Sequence, residues 1–192
     1  MMPVISKIYC SSSPTTLTVR KRPHVINGGG FVVMNAGGHG VAFVVEGCGI
    51  LGVKGEVALK DGDGGLILSI SKRGGIAQAL STRRRWCAYL TEFEGRKKPV
   101  FSLTDPKCPM SNAVRIHLDS SGGWDFQVNG SFVDRTCTVE DYRGATVAQL
   151  GAADMVGGKE LYQVTVQPGY DQAFIVGVLA VLDNIHGEST RC

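Results

Sequence analysis

Apolar and polar residues alternate in short runs along most of this chain, and the alternation stops near its end. Between 173 and 182 no residue is polar. Asp171 stands before the run as an N-cap, Pro168 lies just upstream, and Gly187 follows as a stop. Read as a helix, the run has no polar side: Phe174, Ile175, Val176, Val178, Leu179, Val181 and Leu182 point in every direction. Such a helix is enclosed by protein or embedded in lipid. From 171 to 186 it reaches only about 24 Å, against the roughly 30 Å of hydrocarbon a spanning helix must cross. Asp183, Asn184 and His186 prevent any extension. The pattern predicts a central core helix that the rest of the chain wraps, with Phe174, Ile175, Val178, Leu179 and Leu182 among its buried residues.

The remaining pattern is β. Residues 16–22 alternate weakly as a first strand. Residues 31–34 and 41–45 flank an Asn/Gly-rich break, and 56–60 and 66–70 flank the turn 61–65. Both read as hairpins, and together as a degenerate internal repeat. A third hairpin joins 86–93 to 99–103. Ahead of that hairpin, 71–85 is basic, with a short helical turn at 76–81; after it, 104–111 is a loop holding Pro106 and Pro109. Three consecutive strands at 113–118, 124–129 and 131–140 turn at 119–123 and at Asn129-Gly130. Runs at 145–150 and 160–167 complete the set. About twelve strands with one all-apolar helix predict a closed β-barrel with the helix threaded through it, as closure removes free edges and the helix fills the lumen.

Composition agrees with one domain spanning 1–192, ordered over roughly 9–187. The 26 glycines suit many turns, and a net charge of +3 permits weak attraction to anionic partners without demanding it. The six cysteines form no CxxC pair and the four histidines are scattered, which argues against a zinc site. The N-terminus lacks the apolar stretch of a secretion signal, so the cysteines are expected as free thiols in a reducing compartment. Asn129-Gly130-Ser131 is then an unmodified sequon. No acidic residue precedes Glu46, and the Ser/Thr-rich start also has the composition of a transit peptide.

Chemistry-bearing motifs are sparse. Gly47-Cys48-Gly49-Ile50-Leu51-Gly52 matches GxGxxG but leads into a hairpin, where a dinucleotide site needs a helix. The 61–65 stretch starts like a calcium loop, yet its twelfth position is Lys72. No nucleophile–base pattern emerges, and nothing supports pairing Cys108 with His117. No enzyme activity, cofactor or metal is expected. The basic clusters are Arg20-Lys21-Arg22, Arg83-Arg84-Arg85 before Trp86, and Arg96-Lys97-Lys98. Guanidiniums can hold phosphate bidentately and ammonium groups attract it as point charges, which makes Arg83, Arg84, Arg85, Lys97 and Lys98 the candidate lipid- or phosphate-binding residues. The plainer reading of each cluster is a solvated loop, with Trp86 in the core or at a membrane interface.

Four stretches resemble the LURP-one-related proteins of plants, which share the tubby C-terminal-like fold with phospholipid scramblases. They are Tyr9-Cys10-Ser11 with Leu17-Thr18-Val19-Arg20-Lys21; the paired hairpins at 31–45 and 57–70; the central segment from Asp125-Phe126-Gln127 to Arg135-Thr136-Cys137; and Val166-Gln167-Pro168-Gly169-Tyr170-Asp171 running into the apolar helix. The resemblance implies a twelve-stranded barrel around a hydrophobic helix. One departure stands out: where the family reads Leu-Ser-Leu-His-Asp-Arg-Trp, this chain reads Leu80-Ser81-Thr82-Arg83-Arg84-Arg85-Trp86. The resemblance points to a non-enzymatic signalling protein with a role in plant defence, docking on anionic phospholipid or phosphoinositide head groups. It would be a cytoplasmic monomer, peripheral at membranes or nuclear, with no nucleic-acid partner. The alternative is a structural or protein-interaction module whose partners are other proteins, with no lipid ligand.

Overall fold

The structure is a computed structural model that describes residues 3–22, 29–38, 40–48, 55–72, 85–91, 95–104, 113–118, 123–152, 161–186 and 190. Twelve strands follow in order: β1 Thr15–Lys21, β2 Gly30–Met34, β3 Val41–Gly47, β4 Glu56–Asp61, β5 Leu66–Lys72, β6 Arg85–Thr91, β7 Lys97–Thr104, β8 Val114–His117, β9 Phe126–Ser131, β10 Thr136–Asp141, β11 Thr146–Ala152 and β12 Leu161–Val166. Each pairs antiparallel with its neighbours in sequence, and β1 closes the barrel on β12 through a register running from Thr15 opposite Val166 to Arg20 opposite Leu161. The hairpins β2–β3 and β4–β5 each carry a bulge one step before the turn, at Val33/Met34 and at Leu59/Lys60. The hairpin β10–β11 carries a bulge at the same step, Val139/Glu140, so this irregularity is not particular to the two hairpins read as a repeat.

The helix α1, Gln172–His186, fills the lumen. Its residues from Ala173 through Asp183 are all buried, among them Phe174, Ile175, Val178, Leu179 and Leu182. The Phe174 ring meets Phe101 edge-on at 5.3 Å and Phe126 at 4.9 Å, so two strands on either side of β8 grip one side chain. Gly177 lets the helix approach the wall: a Cβ there would lie 3.1 Å from Leu68 Cδ1 and 3.3 Å from Phe101 Cζ. At about 1.5–3 kcal/mol per large apolar side chain, enclosure of α1 is the main stabilising event of the fold.

Asp171 caps the helix as its position predicts, its Oδ1 accepting from Phe174 N–H at 3.1 Å. Its Oδ2 also accepts from Ile5 N–H at 2.7 Å and Ser6 N–H at 2.9 Å. One carboxylate thereby starts the helix and pins the N-terminal segment across that end of the barrel. Tyr9 from the same segment packs on Phe43 at 5.6 Å between ring centres.

Two sequence expectations are corrected. Asn129 and Gly130 lie inside β9, and the turn falls at 132–135. Phe132 is buried there, stacked on His186 at 5.6 Å and edge-on to Tyr162 at 6.1 Å. Arg135 takes the left-handed conformation (φ 57°), with its guanidinium 4.6 Å over Phe132 and 4.3 Å over Tyr162. Anchoring Phe132 in the core outweighs the turn preference of Asn-Gly. Gly130 serves a different need, because a Cβ there would strike the Thr136 carbonyl. The sequon residue Asn129 instead donates from Nδ2 to Glu140 Oε2 at 2.8 Å. The second correction concerns the thiols: Cys48 is disulfide-bonded, while Cys10, Cys87 and Cys137 are free. The predicted helical turn at 76–81 and the Pro106/Pro109 loop lie outside the described residues.

Candidate functional site

With the lumen filled by α1, surface chemistry is confined to the outer wall and the two rims. Antiparallel order decides which rim each residue occupies. At the rim where α1 ends, β1 finishes with Arg20, Lys21 and then Arg22, β5 finishes with Lys72, and β6 begins with Arg85. Arg135, in the turn after β9, belongs to the same rim. Among the described residues, these basic groups outnumber the acidic Glu46, Glu56 and Asp134 there. Arg22 and Lys60 both reach Glu46, at 3.6 Å and 2.7 Å.

Lys97 and Lys98 stand at the opposite rim, where β7 begins beside the end of β6: Lys97 faces Thr91 and Lys98 faces Leu90 in the register. At about 3.3 Å per residue, the length of β6 puts roughly 20 Å between them and Arg85. The structure therefore does not bring the two predicted groups together. Arg83 and Arg84 lie outside the described residues, as do Cys108 and most of the GxGxxG stretch. Trp86 is buried in the core cluster. The 61–65 turn is closed by Asp61, whose Oδ1 accepts from Gly65 N–H at 2.6 Å and Asp63 N–H at 3.1 Å. Among the described residues, no group of three His, Cys, Asp or Glu is placed to hold a metal ion. No described helix is long and apolar enough to cross a membrane.

Arg85 has an unusual environment. It alternates with Trp86 and Ala88, which face the core, so Arg85 and Cys87 face outward. In the register Cys87 lies opposite Ser102 on β7, and Ser102 opposite His117 on β8. The result is an outward row of thiol, hydroxyl and imidazole, with Arg85 leaning across it. Arg85 Nη2 donates to Ser102 Oγ at 2.7 Å, while Arg85 Nε is shielded from solvent with no hydrogen-bond partner. Ser102 is 7% exposed although it points away from the lumen, so it forms a recessed floor. His117 Nδ1 lies 2.8 Å from the Gly123 carbonyl. A carbonyl only accepts, so Nδ1 carries the proton and Nε2 is left for another partner. Sequence reasoning found Arg85, named His117 only to set aside its pairing with Cys108, and missed Ser102. Strand alternation assigns each a face, but only the barrel register makes them neighbours.

Of the ionisable groups elsewhere, burial pushes the Cys137 thiol up to about 11. Burial, followed by the nearby Asp141 carboxylate, also raises Tyr170, whose hydroxyl donates to Asp141 Oδ2 at 3.3 Å.

Comparison with known proteins places this geometry. A family model described as LURP-one-related matches residues 15–183. The chain is 45% identical over 195 residues to Protein LURP-one-related 6 of Arabidopsis thaliana, covering 100% of both chains. It is 43% identical over 206 residues to Protein LURP-one-related 16 of the same plant, covering 99% of this chain and 95% of the other. Its fold is similar to that of a crystal structure of another Arabidopsis thaliana protein, with a TM-score of 0.69 at 23% identity, over 95% of this chain and 98% of that one.

Proposed function

The chain belongs to the LURP-one-related family, and from that premise we propose that it is a non-enzymatic docking module for anionic membrane surfaces, tethering a signalling role of the kind used in plant defence. The observation that carries this reading is the gathering of Arg20, Lys21, Arg22, Lys72 and Arg85 at the rim where α1 ends, on a barrel whose lumen is occupied. A closed wall with a filled interior offers partners its outside, and a basic rim favours an anionic plane. Each basic group near such a surface contributes only about 1 kcal/mol, so binding is multivalent and salt-sensitive. Arg83 and Arg84 directly precede Arg85 in the sequence and lie outside the described residues.

Vesicle sedimentation tests the proposal. Wild type pellets with vesicles containing phosphatidylserine or phosphoinositide and is released by salt, whereas the triple variant Arg83→Ala, Arg84→Ala, Arg85→Ala stays in the supernatant. Equal recovery of both proteins in the pellet overturns it. The position of Lys97 and Lys98 at the far rim favours a second reading, because one flat membrane cannot engage both ends. In that reading the barrel bridges two protein partners. It predicts unchanged pelleting in the triple variant together with loss of a protein partner when Lys97 and Lys98 are replaced.

A further inference from the structure

We propose that Arg85, Ser102 and His117 form a discrete receptor for a phosphate monoester on the outer wall of β6, β7 and β8. The proposal deepens the docking reading above, and depends on it only where the phosphate belongs to a lipid. It begins from Arg85, a half-buried cation whose side chain, among the described residues, bonds to one group, the neutral hydroxyl of Ser102. Taking a guanidinium out of water without a carboxylate is costly, and leaving Nε shielded and unbonded adds to that cost. An anion on this face offsets the first of these penalties, because its charge compensates the guanidinium.

The donors select the kind of anion. The Arg85 guanidinium carries five N–H donors, so the bond from Nη2 to Ser102 leaves others on its Nη groups for an anion. Ser102 Oγ accepts from Nη2 and keeps its own proton to donate. His117 is turned by the Gly123 carbonyl so that Nε2 remains for a hydrogen bond to a phosphate oxygen. Neighbouring side chains in such a register lie about 4.5–5.5 Å apart, close enough for one small group to touch several of them. A carboxylate, with two coplanar oxygens, satisfies the guanidinium but leaves the serine or the imidazole unmet. A phosphate monoester has three terminal oxygens in a pyramid, one for each donor. The recessed Ser102 floor admits a headgroup or a free phosphorylated molecule more readily than a flat bilayer of simple phosphodiesters.

The test uses the full chain at about 0.15 M salt, where long-range attraction is screened beyond roughly 8 Å. Titration calorimetry with soluble inositol trisphosphate and with inorganic phosphate is compared with pelleting on two vesicle sets matched in surface charge, one with phosphatidylserine and one with a phosphoinositide. Wild type binds the soluble phosphate monoester and prefers the phosphoinositide set. Arg85→Ala and Ser102→Ala each weaken this binding about tenfold or more, consistent with loss of a charge-assisted hydrogen bond. Arg143→Ala, which removes equal charge from the opposite rim, leaves it unchanged. Ser102→Ala, a small change, keeps the test valid if Arg85→Ala disturbs folding. Binding of the soluble compounds but not the vesicles supports the receptor with a free ligand and removes the membrane reading. Pelleting on both vesicle sets without soluble binding, or equal losses in Arg85→Ala and Arg143→Ala, overturns the receptor and leaves the general docking reading standing. No binding in any arm overturns both.

Discussion

Replacing Asp171 by alanine tests how the barrel is closed at the start of α1. The carboxylate is 2% exposed and accepts three backbone N–H groups, from Phe174, Ile5 and Ser6, at 3.1, 2.7 and 2.9 Å. The capping bond alone is worth about 1 kcal/mol, and bonds to a charged acceptor about 1.5–3 kcal/mol each. These contributions overlap, and partly exposed Ile5 and Ser6 amides can recruit water, so the expected loss is about 3–4 kcal/mol in urea unfolding. Asn retains an oxygen for Phe174 N–H, but lacks the charge and a second acceptor for Ile5 and Ser6. Asp171→Asn therefore loses about half as much. A double-mutant cycle with removal of residues 1–8 isolates the latch, since in the shortened chain Asp171→Ala loses only the cap, about 1 kcal/mol. An Asp171→Ala loss below about 1 kcal/mol in the full chain, or equal losses for Ala and Asn, refutes the reasoning.

Three further predictions follow from the same structure. Gly177→Leu forces atoms into Leu68 and Phe101 and lowers stability by about 3 kcal/mol in urea melts, with the barrel fold retained by circular dichroism. Reduction with dithiothreitol, or Cys48→Ser, removes the cross-link at Cys48 and lowers stability by about 2–4 kcal/mol, read as a lower melting temperature. Cys137 titrates near 11 in the folded chain against an ordinary 9.0, and Tyr170 is shifted in the same direction. The native state thus favours the protonated forms. Their stabilisation is fully present below the unfolded values and is lost as pH rises through the folded ones, so urea midpoints decline between about pH 9 and 11 and Cys137→Ala flattens that decline.

The barrel was largely legible in the sequence because period-two runs and an unbroken apolar helix are local signals, and both survive into the core. Asp171 was equally legible as a cap, since capping is decided within three residues. Its second task, holding Ile5 and Ser6, was not, because those partners lie at the other end of the chain. The Asn129-Gly130 turn misled for a physical reason: a local turn preference lost to the burial of Phe132 and the stacking of Arg135 over it. Arg85 could be singled out by its neighbours in sequence. Its partners Ser102 and His117 emerge only from strand register, and the separation of Lys97 and Lys98 from Arg85 only from strand direction.

The account rests on α1 being enclosed by the strands, and native-state hydrogen exchange of its backbone amides measures that enclosure directly. The amides of 174–182 are predicted to exchange only through global unfolding, with a free energy equal to that from urea and unchanged by added vesicles. Exchange at a much lower free energy than unfolding, or protection that appears only when vesicles are present, would contradict it.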